Sequence, residues 1–472
     1  MERATQLFKL CPNRVWAIGR NLQGWEAKLP QLIPPVGDGE TGETQMKVVG
    51  HQGHEYCTFD FCEHSMLNFT NVRQMHERPS CATSPCDTIK DQFPRATLNE
   101  AAHAGTPTAW RLDGMSMVED LESFMAISHV WSDGTGSGGW PDGEVNECLY
   151  SFFKDIAGRF HCTGIWWDTL CIPTNKVARA KAIGKMQQNY ENAQITMVHD
   201  CYIRQWEWTD AETACFAIIM SPWFSRGWTA LELAKSKRVK VIFKGSVIKD
   251  LDTDILSKSP VDSPRHKIAS GVIVSLRRKR IETVNDLLAV LASRSTSWPR
   301  DMAVIAALLV GINIPKDANQ QGIHKALLHH FGDIHQGHLF HRSATMSGGF
   351  SWCPTNLLDM PMASSAETKH GRGKLEIDRW GRAKGEWRIV KIDSVPLDNY
   401  ILADAHPLTR VKLALALQCP DDHLLLAEST GGKVSRALVV KSLSQKAPVH
   451  LIRGLKGADE QDSEEEPLGG LA

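Results

Sequence analysis

Four short apolar segments, separated by helical patterns, set the strongest limit on how this chain can fold. Strand candidates lie at 124–130, 164–172, 193–199 and 239–243. Apolar residues three and four positions apart, the spacing of one helix face, recur at 145–160, 176–192, 210–220 and 229–237. Strands that alternate with helices in this way predict a parallel sheet flanked by helices.

The carboxyl end of the first predicted strand carries a set of polar and aromatic side chains. Ser128, His129, Trp131 and Asp133 lie there, and Asp168 lies near the end of the second predicted strand. Open α/β sheets bind their ligands beyond the carboxyl ends of the strands, so these five residues are candidates for a binding site. The alternative is that each is a core residue whose polar atoms are satisfied by hydrogen bonds.

Three glycines follow the same strand with the spacing of a dinucleotide-binding turn. Gly134, Gly136 and Gly139 form a G-x-G-x-x-G pattern. In a true fingerprint these glycines open a helix directly, and an acidic residue follows about 20 positions later. Here the predicted helix begins only near Glu144, and Asp168 lies well beyond that distance. The glycines therefore predict a flexible, turn-rich loop.

Three segments together point to a known family. They are AISHVWSDG at 126–134, GIWWDTLCIP at 164–173 and SPWFSRGWTALELAK at 221–235. The chain resembles the fungal heterokaryon incompatibility (HET) domain, whose signature is a SHxW, a W-x-D-x-x-C-I and an RxWT-x-x-E segment in that order. The likeness departs at Pro173 and Thr174, where that family usually has Asn-Gln.

The resemblance carries expectations about fold and activity. HET domains are similar to the Toll/interleukin-1 receptor (TIR) domain, a flavodoxin-like α/β fold that hydrolyses NAD at its glycosidic bond in several lineages. It therefore implies a TIR-like parallel sheet flanked by helices and a role in cell death after non-self recognition. TIR domains place their catalytic Glu in a W-C-x-x-E-L segment, and the matching position here is Glu232. Thr229 stands where TIR domains have Cys, and 201–220 inserts an extra helix before this segment.

A carboxylate at position 232 suits the cleavage of the nicotinamide glycosidic bond. That bond breaks through an oxocarbenium-like state, whose positive charge a nearby carboxylate stabilises. Trp131, Trp167 and Trp228 are candidates to stack on a base, Arg226 to face a phosphate, and Asp168 to bond a ribose hydroxyl. NAD is thus the expected substrate, with Glu232 as the catalytic residue.

Each of these residues also has a structural interpretation. Glu232 can pair with Lys235 on a helix surface, and Trp228 can be a core aromatic residue. Arg226 can form an ion pair with Asp168 or Asp133 and so hold two strand ends together. These alternatives stay open at the level of sequence.

Three functions follow from the resemblance. The first is NAD hydrolysis through Glu232, and the second is a non-enzymatic TIR-like module that signals through homotypic contacts or as a homo-oligomer. The third is a HET-like enzyme that acts on another small molecule. An open cleft around Glu232, beside Ser128 and Asp168, would favour catalysis, whereas a Glu232 sealed by packing would favour the module.

Four cysteines before the first predicted strand suggest a metal site. Cys57, Cys62, Cys81 and Cys86 form two C-x4-C pairs, with His54, His64 and His76 among them, and four thiolates, or three with a histidine, suit a closed tetrahedral zinc site. Such an ion would stabilise a segment that is poor in core-forming residues. Because x2 spacing is commoner than x4 for zinc, buried free thiols are the alternative.

Charge and hydropathy limit the partners and the location. The formal net charge is −1, so we expect no general attraction to nucleic acid or to an anionic membrane. No apolar run approaches the roughly 18 residues of a membrane span, and the first residues lack the apolar core of a secretory signal. We therefore expect a cytoplasmic protein without a membrane span.

Composition divides the chain into five predicted regions. We expect a Cys/His-rich region at 1–120, the HET domain at 121–255, a helical region at 256–335, a mixed α/β region at 336–458 and an acidic tail at 459–472. Acidic residues dominate the tail, so it is predicted to be disordered.

Overall fold

The computed structural model describes thirteen stretches of the chain, and every structural statement below concerns them alone. They are residues 72–119, 122–136, 144–257, 264–278, 280–291, 294–314, 318–341, 343–363, 373–391, 407–419, 423–427, 437–441 and 450–452. These residues fall into two compact units. The first lies within Met1–Lys279 and Ser293–Leu308, and the second within Arg280–Ala292 and Leu309–Ala472. The predicted region boundaries are not tested by this division.

A six-stranded sheet forms the centre of the first unit. Its strands are β1 (Trp110–Arg111), β2 (Phe124–His129), β3 (Gly164–Trp166), β4 (Ile195–His199), β5 (Val239–Phe243) and β6 (Val247–Asp250). Their order in the sheet is β1-β3-β2-β4-β5-β6. The inner four strands are mutually parallel, as predicted, and each edge strand pairs antiparallel with its neighbour. The fold is thus mixed α/β with a mixed sheet, which corrects the prediction of a purely parallel one.

The antiparallel edges have simple causes. β5 and β6 are joined by only three residues, Lys244–Ser246, and Gly245 has a φ of 67° that allows the tight turn. So short a connection cannot make the crossover that a parallel pair needs, so the chain forms a hairpin. β1 contains only two residues and pairs with β3.

The helices alternate with these strands. In chain order they are α1 (Arg95–Ala104), α2 (Glu147–Arg159), α3 (Asp168–Cys171), α4 (Lys176–Gly184), α5 (Met186–Asn192), α6 (Ala211–Met220), α7 (Pro222–Ser225), α8 (Gly227–Lys235), α9 (Pro264–Arg278), α10 (Val284–Leu291), α11 (Pro299–Val310), α12 (Gln320–Phe331) and α13 (Pro407–Gln418). The predicted helix at 176–192 is divided into α4 and α5 at Lys185, whose φ of −111° is not helical. Among the described helices, none is both long and apolar enough to cross a membrane.

Burial explains why β2 forms the middle of the sheet. All six of its residues are buried, which is typical of a strand covered on both faces by helices. Its register places His129 opposite His199 of β4. The predicted strand at 164–172 is shorter than expected, because the Asp168 carboxylate accepts a bond from the backbone N–H of Thr169 and the chain turns into α3.

Tryptophan side chains fill the core beside β2 and β3. Trp110, Trp166 and Trp167 are all fully buried. Trp166 Nε1 donates to Thr108 Oγ1 at 3.2 Å, and Trp110 Nε1 donates to the carbonyl of Leu170 at 3.0 Å. These bonds satisfy the buried indole N–H groups of Trp110 and Trp166, whereas Trp167 Nε1 is buried without a hydrogen-bond partner among the described residues.

The second unit contains two antiparallel sheets. One is β7-β8-β9, formed by Asp333–His335, Lys374–Ile377 and Ala383–Lys384. The other is β10-β11-β12-β13, formed by Arg388–Lys391, His423–Ala427, Ala437–Lys441 and His450–Ile452. The helices α10, α12 and α13 belong to this unit.

Candidate functional site

Ser128 and Glu232, far apart in the sequence, meet at the carboxyl end of β2. Ser128 Oγ donates a hydrogen bond to Glu232 Oε2 and accepts one from Trp223 Nε1 at 2.7 Å. The residue exposures are 0% for Ser128 and 7% for Glu232. Burial raises the pKa of Glu232 to about 7, against the bond from Ser128 and the positive charge of His129, which lower it. Glu232 is therefore an interior carboxyl group.

His129 and Trp131 both bind the carboxylate of Asp168. His129 Nε2 donates to Asp168 Oδ1 at 2.7 Å, and Trp131 Nε1 donates to Oδ2 at 2.7 Å. His129 Nδ1 faces the carbonyl of Val130 at 3.2 Å. Because both ring nitrogens face acceptors, both carry protons and the ring is an imidazolium.

Electrostatics support this assignment. Burial alone would lower the pKa of His129, but the negative charge and hydrogen bond of Asp168 outweigh it and raise the pKa to about 9. Burial alone would raise the pKa of Asp168, but the charge and hydrogen bond of His129 outweigh it and lower that pKa. The two side chains form a tight ion pair that joins the end of β2 to α3.

A cleft opens on the solvent side of this pair. It has a volume of about 360 Å³, within the range of small-molecule sites. The described residues that line it are Ile89, Lys90, Asp91, Gln92, Phe93, Pro94, Arg95, Leu98, Asn99, Trp131, Glu144, Asp168, Thr169, Leu170, Ile172, Pro173, Thr174 and Arg179. The side chain of Asp168 keeps 20% of its exposure, whereas that of His129 keeps 2%. Asp168 and Trp131 thus reach the cleft, and Ser128, His129 and Glu232 lie outside its lining.

The remaining predicted binding residues lie elsewhere. Trp228 Nε1 donates to Asp301 Oδ2 at 3.0 Å, and Arg226 bonds Ser297 Oγ at 3.3 Å and adds positive charge near Asp301. Asp133 Oδ2 accepts from the backbone N–H of Cys201 at 3.0 Å. The aspartate on which the charge of Arg226 acts is thus Asp301 of α11, whereas the sequence suggested Asp168 or Asp133.

Glu232 does not form the surface ion pair considered from the sequence. Lys235 pairs instead with Glu191, at 3.4 Å between Nζ and Oε1. Glu232 is buried because α8 is covered on nearly every side, and Thr229, Ala230, Leu231 and Leu233 are buried as well.

A second buried polar cluster, at the end of β4, was missed. His199 Nε2 accepts from Arg204 Nη1 at 2.8 Å, and Arg204 Nη1 also donates to Glu77 Oε2 at 2.7 Å. Asp200 accepts the backbone N–H groups of Ile203 and Trp223. Burial and the charge of nearby Asp133 raise the pKa of Asp200 to about 7. A His-Asp pair after a predicted strand was the available signal.

A group of sulfur and imidazole side chains lies between the segment before α1 and helix α2. His76, Cys81, Cys86 and Cys148 each offer one ligand atom, all within 4.8 Å of one another, and the group can bind a metal such as zinc. Cys81 and Cys86 were predicted as ligands and His76 was one of the candidate histidines, whereas Cys148 was not expected from the sequence. Cys57 and Cys62, the other predicted ligands, lie outside the described residues.

Comparison with known proteins identifies no relative. No protein-family model, no curated protein and no solved structure matches this chain.

Proposed function

We propose that the first unit is a HET-like, TIR-related module of fungal non-self recognition that binds a nucleotide, NAD being the expected one, in the cleft beside Asp168. One observation carries this proposal. The Asp168 carboxylate, fixed by His129 and Trp131, forms part of the wall of a cleft at the carboxyl end of the parallel strands. That is where open α/β sheets bind their ligands.

The strand order supports the same location. Numbered by sequence, the four parallel strands are ordered second, first, third, fourth, which begins the order of flavodoxin-like folds. In such folds the ligand sits where the order reverses, between the third strand, here β4, and the first strand. β2 is that strand here, and it carries Ser128 and His129 at its end.

The lining of the cleft matches the chemistry of a dinucleotide. Asp168 Oδ2 accepts from Trp131, and its second lone pair suits a ribose hydroxyl. Lys90, Arg95 and Arg179 bring positive charge to the wall and suit phosphate oxygens. The half-buried Trp131 offers a ring for stacking on a base.

Titration calorimetry with NAD and with ADP-ribose tests this proposal. Arg179→Gln removes a cation from the wall and keeps the His129–Asp168 hydrogen bond, although the charge of Arg179 also acts on Asp168, and we expect roughly a tenfold loss of affinity. Asp168→Asn should lose at least as much, with folding checked by circular dichroism because His129 loses its counter-charge. Asp155→Asn, on the exposed face of α2, is the matched control. Absence of binding, or equal affinity of Arg179→Gln and wild type, would refute the proposal.

Hydrolysis of NAD through Glu232 is the second candidate. It is favoured by the meeting of Ser128, His129 and Glu232 at the end of one strand, and by a carboxyl pKa of about 7, which suits proton transfer. The 7% exposure of Glu232 favours binding without cleavage, which is why hydrolysis stands second.

Nicotinamide release, followed by chromatography, separates the two candidates. If the module hydrolyses NAD, wild type turns over and Glu232→Gln does not, while Glu191→Gln, on the neighbouring helix α5, keeps full activity. Binding without nicotinamide release, in dilute protein and in crowded protein, would leave the module as the function. Light scattering with and without NAD measures the homotypic assembly that such a module requires.

A further inference from the structure

We infer that His76, Cys81, Cys86 and Cys148 bind one structural zinc ion, and that this ion fixes a wall of the cleft. The inference goes beyond the proposed function, because it does not depend on what the cleft binds. It also differs from the four cysteines expected from sequence, because Cys148 was not among the candidate ligands and His76 was only one of three candidate histidines.

The distances match a zinc tetrahedron. Typical Zn–S and Zn–N lengths of about 2.3 and 2.0 Å place two sulfurs about 3.8 Å apart and a sulfur and a nitrogen about 3.5 Å apart. His76 Nδ1 lies 3.4 Å from Cys86 Sγ and 3.5 Å from Cys148 Sγ. The widest separation in the group is at most 4.8 Å, so its atoms need to approach by no more than about 1 Å around an ion.

The surroundings of the group suit a closed, structural site. Cys81 and Cys148 are 5% and 1% exposed, so three thiolates and one imidazole would fill the coordination sphere and leave no position open to substrate. The backbone N–H of Glu77 donates to Cys148 Sγ at 3.2 Å, and such a bond would orient the thiolate toward a bound metal. Cys148 also lies in the first turn of α2, where the helix dipole stabilises negative charge.

Other buried thiols in the described part of the first unit, such as Cys162 and Cys215, do not belong to such a group of ligand atoms. Cys162 Sγ lies near a carbonyl and an amide oxygen, and Cys215 Sγ donates to the carbonyl of Ile255 at 3.6 Å. Within the described stretches, the group at His76 is the one set of His, Cys and acidic side chains whose ligand atoms lie this close. Burial of free thiols alone does not require three of them and an imidazole to converge.

The ion would fix a segment that has little regular structure of its own. Between 72 and 94 the described chain contains one helical turn, Pro79–Ala82. His76, Cys81 and Cys86 come from this segment, and Cys148 comes from α2, so the ion ties the segment to the body of the unit. Directly after Cys86 the chain forms the cleft wall at 89–95.

The same segment supports the loop that carries Trp131. The backbone N–H of Met75 donates to the carbonyl of Gly134 at 3.0 Å, and Asn146 Nδ2 donates to the carbonyl of Met75 at 2.9 Å. A metal bound at the neighbouring His76 would therefore hold both the cleft wall and the loop after β2. Loss of the ion should loosen both.

Metal analysis of the purified full chain tests the assignment. We expect one zinc per chain in wild type and almost none in Cys86→Ser or Cys148→Ser. Cys57→Ser, Cys62→Ser and the buried-thiol control Cys162→Ser should keep the metal. No zinc in wild type, iron in its place, or loss in Cys57→Ser with retention in Cys148→Ser would overturn the inference.

Cobalt substitution of the wild type keeps the test valid if a variant fails to fold. A tetrahedral Co²⁺ spectrum with thiolate charge-transfer absorbance for three thiolates is expected. A six-coordinate spectrum, or one that requires four thiolates, would contradict the ligand set.

Limited proteolysis tests the effect on the wall. Trypsin should cleave after the exposed Arg73 and Lys90 several-fold faster once a chelator has removed the zinc, whereas cleavage after the exposed Lys237 should not change. Equal rates at Arg73 and Lys90 in metal-loaded and metal-free protein would refute the claim that the ion fixes the wall.

Discussion

The buried ion pair of His129 and Asp168 predicts that the protein loses stability as the solution becomes basic. Folding raises the pKa of His129 from its ordinary 6.5 to about 9, because the charge of Asp168 outweighs burial. Between these values the folded state binds more protons than the unfolded state. The stabilisation is therefore fully present below pH 6.5 and is lost as the pH rises through 9.

The size of the effect follows from the same two values. The whole shift corresponds to about 3 kcal/mol, and roughly 2 kcal/mol of it is lost between pH 7 and pH 9. The side chain of His129 is 2% exposed, so solvent screening reduces this figure little. Glu232 and Asp200, whose pKa values are about 7, are already half ionised at pH 7, so each adds only about 0.4 kcal/mol to the loss.

Urea unfolding followed by tryptophan fluorescence measures the loss. Wild type should lose roughly 2 kcal/mol of unfolding free energy between pH 7 and pH 9. His129→Gln keeps a hydrogen-bond donor toward Asp168 but cannot be charged, so it should lose clearly less stability than wild type across the window. The part that remains comes from Glu232, whose pKa the charge of His129 no longer lowers. His103→Gln, at an exposed histidine in the last turn of α1, should behave as wild type does. Equal losses in wild type and His129→Gln would refute the assignment of a buried imidazolium.

Three further substitutions probe the buried groups. Burial raises the pKa of Glu232 to about 7, so this carboxyl group destabilises the folded state as it ionises. Between pH 5 and pH 8, the unfolding free energy of wild type in urea should fall by roughly 2 kcal/mol more than that of Glu232→Gln. Trp223→Phe removes the indole donor to a buried hydroxyl and should lower the unfolding free energy by about 1–3 kcal/mol, whereas Trp298→Phe, at a residue 59% exposed, should change it little. Arg204→Met removes the cation that pairs with Glu77 and should lower the unfolding free energy by about 3 kcal/mol. A melting temperature equal to that of wild type would show that the ion pair is dispensable.

The strands were predictable because local pattern decides them. The strand predicted at 124–130 is β2, Phe124–His129, in the structure. The strand predicted at 239–243 is β5, with the same bounds. The end of β3 was not predictable from apolar content, because the turn there depends on a bond from Thr169 to the side chain of Asp168. β1 and β6 were missed, since two residues and the half-exposed sequence VIKD carry no buried-strand pattern.

The site was predictable only in part, for a similar reason. Because the carboxyl ends of parallel strands lie at one edge of a sheet, the sequence predicted that Ser128, His129 and Asp168 lie close together. It could not tell which polar atoms would face each other. Asp301, the partner of Trp228, lies in α11, and only tertiary packing brings it there.

Asp168 is the residue in which the structural and functional interpretations meet. One of its oxygens holds the His129 ion at the end of β2, and the other, bonded to Trp131, belongs to a side chain that reaches the cleft. The charge of Asp168 raises the pKa of Glu232, and the charge of His129 lowers it. A ligand that bonds Asp168 from the cleft therefore acts on the same charges that keep His129 protonated and set the state of Glu232. Burial of Glu232 alone does not disconnect it from the cleft, because the ion pair transmits any change of charge at Asp168 to it.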